Sequence, residues 1–180
     1  MMLYLDTSAL VKLYVDEPMS QELTNAVNEI EAVATSLLAY TEACAAFARA
    51  RREARLSAQA YRHVVEAFVD DWPRYITVEV TDRLVKDAGE LAAHRALRGY
   101  DAMHLASALV LREQISSITL LTFDRELMAA AKRESLRIHP LGEEDADPIM
   151  LFAKRIANPF RSNIEHSTSS TSIERRYRLS

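Results

Sequence analysis

Four acidic residues carry the chemistry this sequence could perform: Asp6, Glu42, Asp101 and Asp124. Asp6 ends the apolar run Met1-Met-Leu-Tyr-Leu5, and Asp124 follows Ile118-Thr-Leu-Leu-Thr-Phe123. Glu42 and Asp101 fall at or near the starts of two strongly apolar helical stretches. A carboxylate at the end of a buried strand suffers desolvation, and repulsion if other carboxylates are near. A hard divalent cation offsets both, because such ions take oxygen ligands. Two such ions about 4 Å apart can activate a water and stabilise the leaving oxygen of an in-line phosphoryl displacement. The set therefore points to metal-assisted phosphodiester cleavage. The plainer alternative is that Asp101 and Asp124 are only helix caps, which their positions suit. Asp6 and Glu42 fit that alternative less well. Thr7 and Ser8 follow Asp6 and can hold a carboxylate or a water, and Glu42 lies in an Ala-rich stretch whose neighbours read as buried.

The elements that must position these acids alternate short β-type runs with longer helical ones, as in a parallel α/β sheet. Strands are predicted at Leu3–Leu5, Ala32–Thr35, Tyr75–Val80, Ile118–Phe123 and Leu136–Ile138. Helices are predicted from Ser8 to Val15, from Pro18 to about Ile30, and from a Ser36 cap to about Arg55. A Ser57 cap opens the next, with an apolar stripe of Ala58, Tyr61, Val64, Val65, Phe68 and Trp72 at helical spacing. Thr81 caps Asp82–Leu97, which Gly99 is expected to break, and Tyr100–Gln114 and Arg125–Arg133 complete the set. In such a sheet ligands bind outside the carboxyl ends of the strands. Asp6 and Asp124 would share that edge, Asp101 would reach it from a helix start, and Glu42 from one and a half turns into its helix.

The chain has 180 residues, 49% hydrophobic and 27% charged, which suits a soluble globular domain with a substantial core. Its one cysteine, Cys44, excludes an internal disulfide and a cysteine-rich zinc site, and is expected to be a small buried helix residue. No signal-peptide pattern and no apolar run of about 18 residues is visible, so a cytoplasmic protein with no membrane association is expected. The net charge of −4 argues against a protein that coats nucleic acid. It does not exclude a nucleic-acid substrate, because metal ions at a carboxylate cluster reverse the local field. Residues 1–142 are expected to form the nuclease-type domain. Residues 143–180 read as a polar, disordered tail, rich in Ser and Thr from Ser162 onward.

Four segments in order resemble the PIN-domain ribonucleases, most closely the VapC-type toxins of toxin–antitoxin pairs. They are Leu5-Asp6-Thr7-Ser8-Ala9-Leu10, Thr41-Glu42, Tyr100-Asp101-Ala102-Met103-His104-Leu105-Ala106-Ser107-Ala108 and Leu121-Thr122-Phe123-Asp124-Arg125-Glu126-Leu127. The resemblance runs from residue 1 to about 141. It implies a PIN-like fold, with a central parallel sheet of about four to five short strands flanked by helices on both sides. It implies that Asp6, Glu42, Asp101 and Asp124 are catalytic metal ligands for Mg²⁺ or Mn²⁺, with hydroxyl support from Ser8 and Thr122. It also implies an RNA substrate (transfer, ribosomal or messenger), a small cognate antitoxin that fills the site, and a homodimer. Some members carry a further acid beside the last Asp. Here that position is Arg125, with Glu126 beyond it, which leaves open whether one ion or two is held.

Several other residues invite a role. Arg49, Arg51, Arg52 and Arg55 form a basic patch, either a solvated helix face or phosphate contacts. Arg49, Arg52 and Arg98 are the RNA-binding candidates, and Arg95 is weighed with Arg98. His104, one turn after Asp101, reads as a core histidine or one that supports a ligand, more than as a ligand itself. Tyr100 reads as packing, with base stacking as the alternative. The stripe ending at Trp72 reads as ordinary core. Two other classes share this pattern: a PIN-like module that binds RNA or protein without cleaving, and a nuclease directed at DNA.

Overall fold

The computed structural model describes residues 1–115 and 117–146. Four strands form one all-parallel sheet: β1 (Met2–Leu5), β2 (Ala32–Ser36), β3 (Ile76–Val78) and β4 (Ile118–Leu121). Their spatial order is β3-β2-β1-β4. β1 is central, and all four of its residues are buried. Its side chains alternate between two cores. Met2 and Tyr4 join Ala34, Ile118 and Leu120, while Leu3 and Leu5 join Leu121 on the other face. A parallel strand with no polar face requires cover on both sides, and the helices supply it.

On the Leu3 and Leu5 face lie α1 (Thr7–Lys12), α2 (Ser20–Asn28), α3 (Ala39–Arg52) and α4 (Ala58–Asp71). On the Tyr4 face lie α5 (Asp82–Arg95), α6 (Gly99–Gln114) and α7 (Arg125–Arg133). The α/β arrangement expected from the sequence is therefore the one observed, with four strands. Phe68 is fully buried, and its ring centroid lies 5.3 Å from those of Tyr14, Tyr40 and Trp72. The stripe that ends at Trp72 is core.

Local chemistry explains most boundaries. Ser57 Oγ accepts from the Ala60 N–H, and Thr81 Oγ1 from the Leu84 N–H, so both act as the predicted caps. Four expectations need correction. Ser36 does not cap α3; it ends β2 and is buried, and the helix starts at Ala39. α5 is broken by Ala96, not by Gly99. Ala96 adopts φ 56°, its N–H bonds to Ala92 O, and Leu97 turns inward behind it. Gly99 is instead the first residue of α6. Leu136–Ile138 is not a strand: only Ile138 bridges β4, at Leu120, before Pro140 opens α8 (Pro140–Ala146). β4 ends at Leu121, short of the predicted Phe123; the Thr122 hydroxyl donates to the Asp6 carboxylate and accepts from the Asp124 N–H.

The boundary expected at residue 142 falls within α8. The expected tail lies outside the described residues from 147 onward. Among the described residues no helix is long and apolar enough to cross a membrane.

The connections create one special place. From β1 the chain moves through β2 to β3 on one side, then crosses to β4 on the other. The carboxyl ends of β1 and β4, paired at Leu5 and Leu121, therefore flank the switch point of the sheet. Open α/β sheets bind ligands there.

Candidate active site

Asp6 follows Leu5 directly and is only 4% exposed. It caps α1: Oδ1 accepts from the Ala9 N–H at 3.0 Å and from Ser8 Oγ at 2.8 Å. Its Oδ2 accepts from Thr122 Oγ1 at 2.9 Å. Thr122 Oγ1 in turn accepts from the Asp124 N–H at 3.0 Å, and Ser8 Oγ from the Phe123 N–H at 3.0 Å. Two hydroxyls thus tie the end of β1 to the loop after β4. Burial pushes the Asp6 carboxyl above the usual aspartate range, and the opposing pull of His104 and the three hydrogen bonds falls short. An ionised Asp6 is costly here unless positive charge arrives.

Asp124 caps α7, with Oδ1 accepting from the Leu127 N–H at 2.8 Å. The capping reading therefore holds for Asp124, yet it consumes one oxygen only. Oδ2 meets Arg98 Nη2 at 3.0 Å. Asp101 caps nothing: it is the third residue of α6, and Arg98 occupies the cap position without a side-chain cap bond. Asp101 Oδ2 accepts from Arg98 Nε at 2.7 Å. One guanidinium, with 72% of its side chain exposed, thus bridges the two acids.

Glu42 lies in the first turn of α3. Its Oε2 accepts from Thr7 Oγ1 at 2.6 Å and meets His104 Nε2 at 2.9 Å. Partial burial pulls the Glu42 carboxyl upward. The bonds from His104 and Thr7, with the charges of His104 and Arg98, outweigh that and hold it below the usual range.

The structure thus brings Asp6, Glu42, Asp101 and Asp124 to one edge, together with Ser8, Thr122 and Arg98. It does not bring Arg49 or Arg52 there. They lie about 10 and 15 Å along α3 from Glu42 at 1.5 Å per residue, and Arg49 pairs with Glu53. Arg95 is likewise elsewhere, paired with Glu134. Tyr100 is not packing, as its type suggests, but 59% exposed beside Asp101. Cys44 is half-buried against the core of the Leu3 face. Sequence reasoning missed that Arg98 joins two of the acids. The three-residue spacing from Arg98 to Asp101 across a helix start was the available signal.

The donor set suits a hard cation: carboxylate oxygens with hydroxyls behind them and no soft ligand. Among the described residues, no three His, Cys, Asp or Glu side chains already stand at metal-ligand spacing. The Arg98 guanidinium now sits against two of the acids, so binding an ion between them requires Arg98 to move aside. Asp6, held above its usual range by burial, is the group with most to gain from a cation.

A family model for the PIN domain matches residues 3–133. Ribonuclease VapC49 of Mycobacterium tuberculosis is 34% identical over 139 residues, covering 77% of this chain and 95% of its own. Two solved structures share the fold. VapBC-1 from nontypeable Haemophilus influenzae aligns with a TM-score of 0.55 at 16% identity, covering 77% of this chain and 97% of that one. A toxin–antitoxin complex from Klebsiella pneumoniae aligns with a TM-score of 0.51 at 18% identity, covering 71% and 90%. With the four acids ordered on the switch-point edge and these matches spanning most of its length, this chain belongs to the VapC-type branch of the PIN-domain family.

Proposed function

We propose that this chain is an endoribonuclease toxin that hydrolyses RNA phosphodiester bonds with Mg²⁺ or Mn²⁺ held by Asp6, Glu42, Asp101 and Asp124. The observation that carries the reading is their convergence. Four acids from four separate segments lie along the switch-point edge of the sheet, in a chain 34% identical to a ribonuclease. When bound, the ion supplies positive charge that offsets the phosphate and makes a water more acidic. The chain supplies the rest. Ser8 and Thr122 hold the Asp6 carboxylate in place, and Thr7 holds that of Glu42. Arg98, exposed at the end of a long side chain, can leave the acids for an RNA phosphate. Tyr100, exposed beside it, offers a face on which a base can stack.

The K. pneumoniae structure is a toxin–antitoxin complex, which supports a cognate antitoxin as partner here. An acidic pocket bridged by one arginine would accept a basic antitoxin side chain in place of Arg98. A homodimer in the cytoplasm completes the proposal.

The test uses wild type and Asp101→Asn on a pool of transfer, ribosomal and messenger RNA, with a DNA oligonucleotide alongside. Wild type should cut RNA in Mg²⁺ or Mn²⁺. Asp101→Asn should cut nothing while keeping its circular dichroism spectrum. Equal cleavage by the variant would overturn the site. Silence of wild type at every Mg²⁺ and Mn²⁺ concentration would favour a binding module, and preference for DNA would reassign the substrate.

A further inference from the structure

His104 is 3% exposed, in a stretch of α6 where every residue from Ala102 to Ala108 is buried. A histidine that only fills a core needs any partner for its two nitrogens. Here both nitrogens have partners, and one of them faces an acid of the site. Nε2 lies 2.9 Å from Glu42 Oε2 and 2.9 Å from Thr7 Oγ1. Nδ1 lies 3.0 Å from the hydroxyl of Tyr4, itself fully buried on β1. An ionised carboxylate only accepts, so Nε2 must carry the proton and donate to Glu42. Nδ1 then pairs with the Tyr4 hydroxyl, accepting from it when the ring is neutral and donating to it when the ring is charged. This assignment leaves no nitrogen free to ligate a metal. The Tyr4 ring stands edge-on to the imidazole, at 6.0 Å between centroids and 75°, and fixes its plane.

We propose that His104 is a positioning residue: with Thr7 it fixes Glu42 Oε2, so that Glu42 meets the divalent cation already oriented. Glu42 is the one acid of the four that reaches the site on a long side chain from within a helix. Its free rotamers would have to be frozen on each binding event. Two donors on one oxygen freeze them in advance, and neither engages Oε1. Partners behind metal ligands commonly change affinity 10- to 100-fold when removed. The chain Tyr4–His104–Glu42 joins β1, α6 and α3, so the sheet itself sets the aim of the carboxylate.

The inference rests on the metal-binding reading above, and the experiment separates the two. Mn²⁺ alone is titrated by calorimetry into metal-free wild type, His104→Gln, His104→Asn, Thr7→Ser and Thr7→Val, with thermal melts of each. Gln places an amide N–H where Nε2 stood, and Asn places one where Nδ1 stood. His104→Gln and Thr7→Ser should bind Mn²⁺ within about threefold of wild type. His104→Asn and Thr7→Val should bind at least about tenfold more weakly, in keeping with the loss of such a partner. If His104→Asn does not fold, the half-buried Thr7 pair carries the same test on the same oxygen. Wild-type affinity in the Asn and Val variants, or equal loss in Gln and Asn, would overturn the positioning role alone. Absence of Mn²⁺ binding by wild type would overturn the metal reading and this inference with it.

Discussion

Replacing Thr122 by valine removes one hydroxyl and keeps the shape. That hydroxyl is fully buried and makes two bonds, donating to Asp6 Oδ2 and accepting from the Asp124 N–H. A hydrogen bond to a charged group contributes about 1.5–3 kcal/mol, and an orphaned N–H in a partly buried place costs about 1 kcal/mol more. The expected loss is therefore about 2–4 kcal/mol, large against a domain stability of about 5–15 kcal/mol. At about 2–4 °C per kcal/mol for a domain of this size, the melting temperature should fall by about 4–16 °C. Scanning calorimetry in EDTA measures this without any metal contribution. Thr122→Ser retains the hydroxyl and should recover most of the loss. A valine variant within about 0.5 kcal/mol of wild type would refute the reasoning, because Asp6 and Asp124 would then be placed without Thr122.

Three further outcomes follow from the same geometry. Burial raises the Asp6 carboxyl above its unfolded value, so the fold binds that proton more tightly than the unfolded chain does. Stability from this group is therefore lost as pH rises from the unfolded value, about 3.9, through the folded one. Metal-free Asp6→Asn should lack that loss and be the more stable protein by urea denaturation at pH 8, but not at pH 3; a less stable variant at pH 8 contradicts the assignment. Tyr100→Ala, in an Asp101→Asn background that cannot cut, should bind an RNA oligonucleotide about 1–3 kcal/mol more weakly while its thermal melt stays unchanged. Unaltered RNA affinity would remove Tyr100 from the substrate surface. A Cβ on Gly142 would come within 2.5 Å of the Thr122 carbonyl oxygen, a backbone atom behind the site. Gly142→Ala should therefore destabilise by about 1–3 kcal/mol, and an unchanged melt would mean that α8 yields freely.

The strands and the acids at their ends were legible because their signals are local. β1 and β4 are apolar runs that stop at a polar residue, and Ser57 and Thr81 stand where caps belong. The end of α5 was misread because glycine is the usual left-handed residue, whereas Ala96 takes that conformation and lets Leu97 bury. Leu136–Ile138 has strand composition, but Pro140 leaves it room for a single bridge. Arg98, His104 and Tyr4 could not be assigned from spacing alone. Tyr4 and His104 lie a hundred residues apart, and only the fold brings them within hydrogen-bond distance. Arg49 and Arg52 lie about 10 and 15 Å along α3 from Glu42, so any phosphate they hold lies beyond the acids.

The central claim is that these four acids hold a divalent cation for hydrolysis of RNA by water. It is tested most directly by cleavage of an end-labelled RNA pool with wild type, first in EDTA and then with Mg²⁺ or Mn²⁺ restored, reading the new termini. Cleavage should vanish in EDTA, return with the ion, and leave a linear phosphate monoester. Cleavage that persists in EDTA, or that leaves a 2′,3′-cyclic phosphate from attack by the ribose hydroxyl, would contradict it.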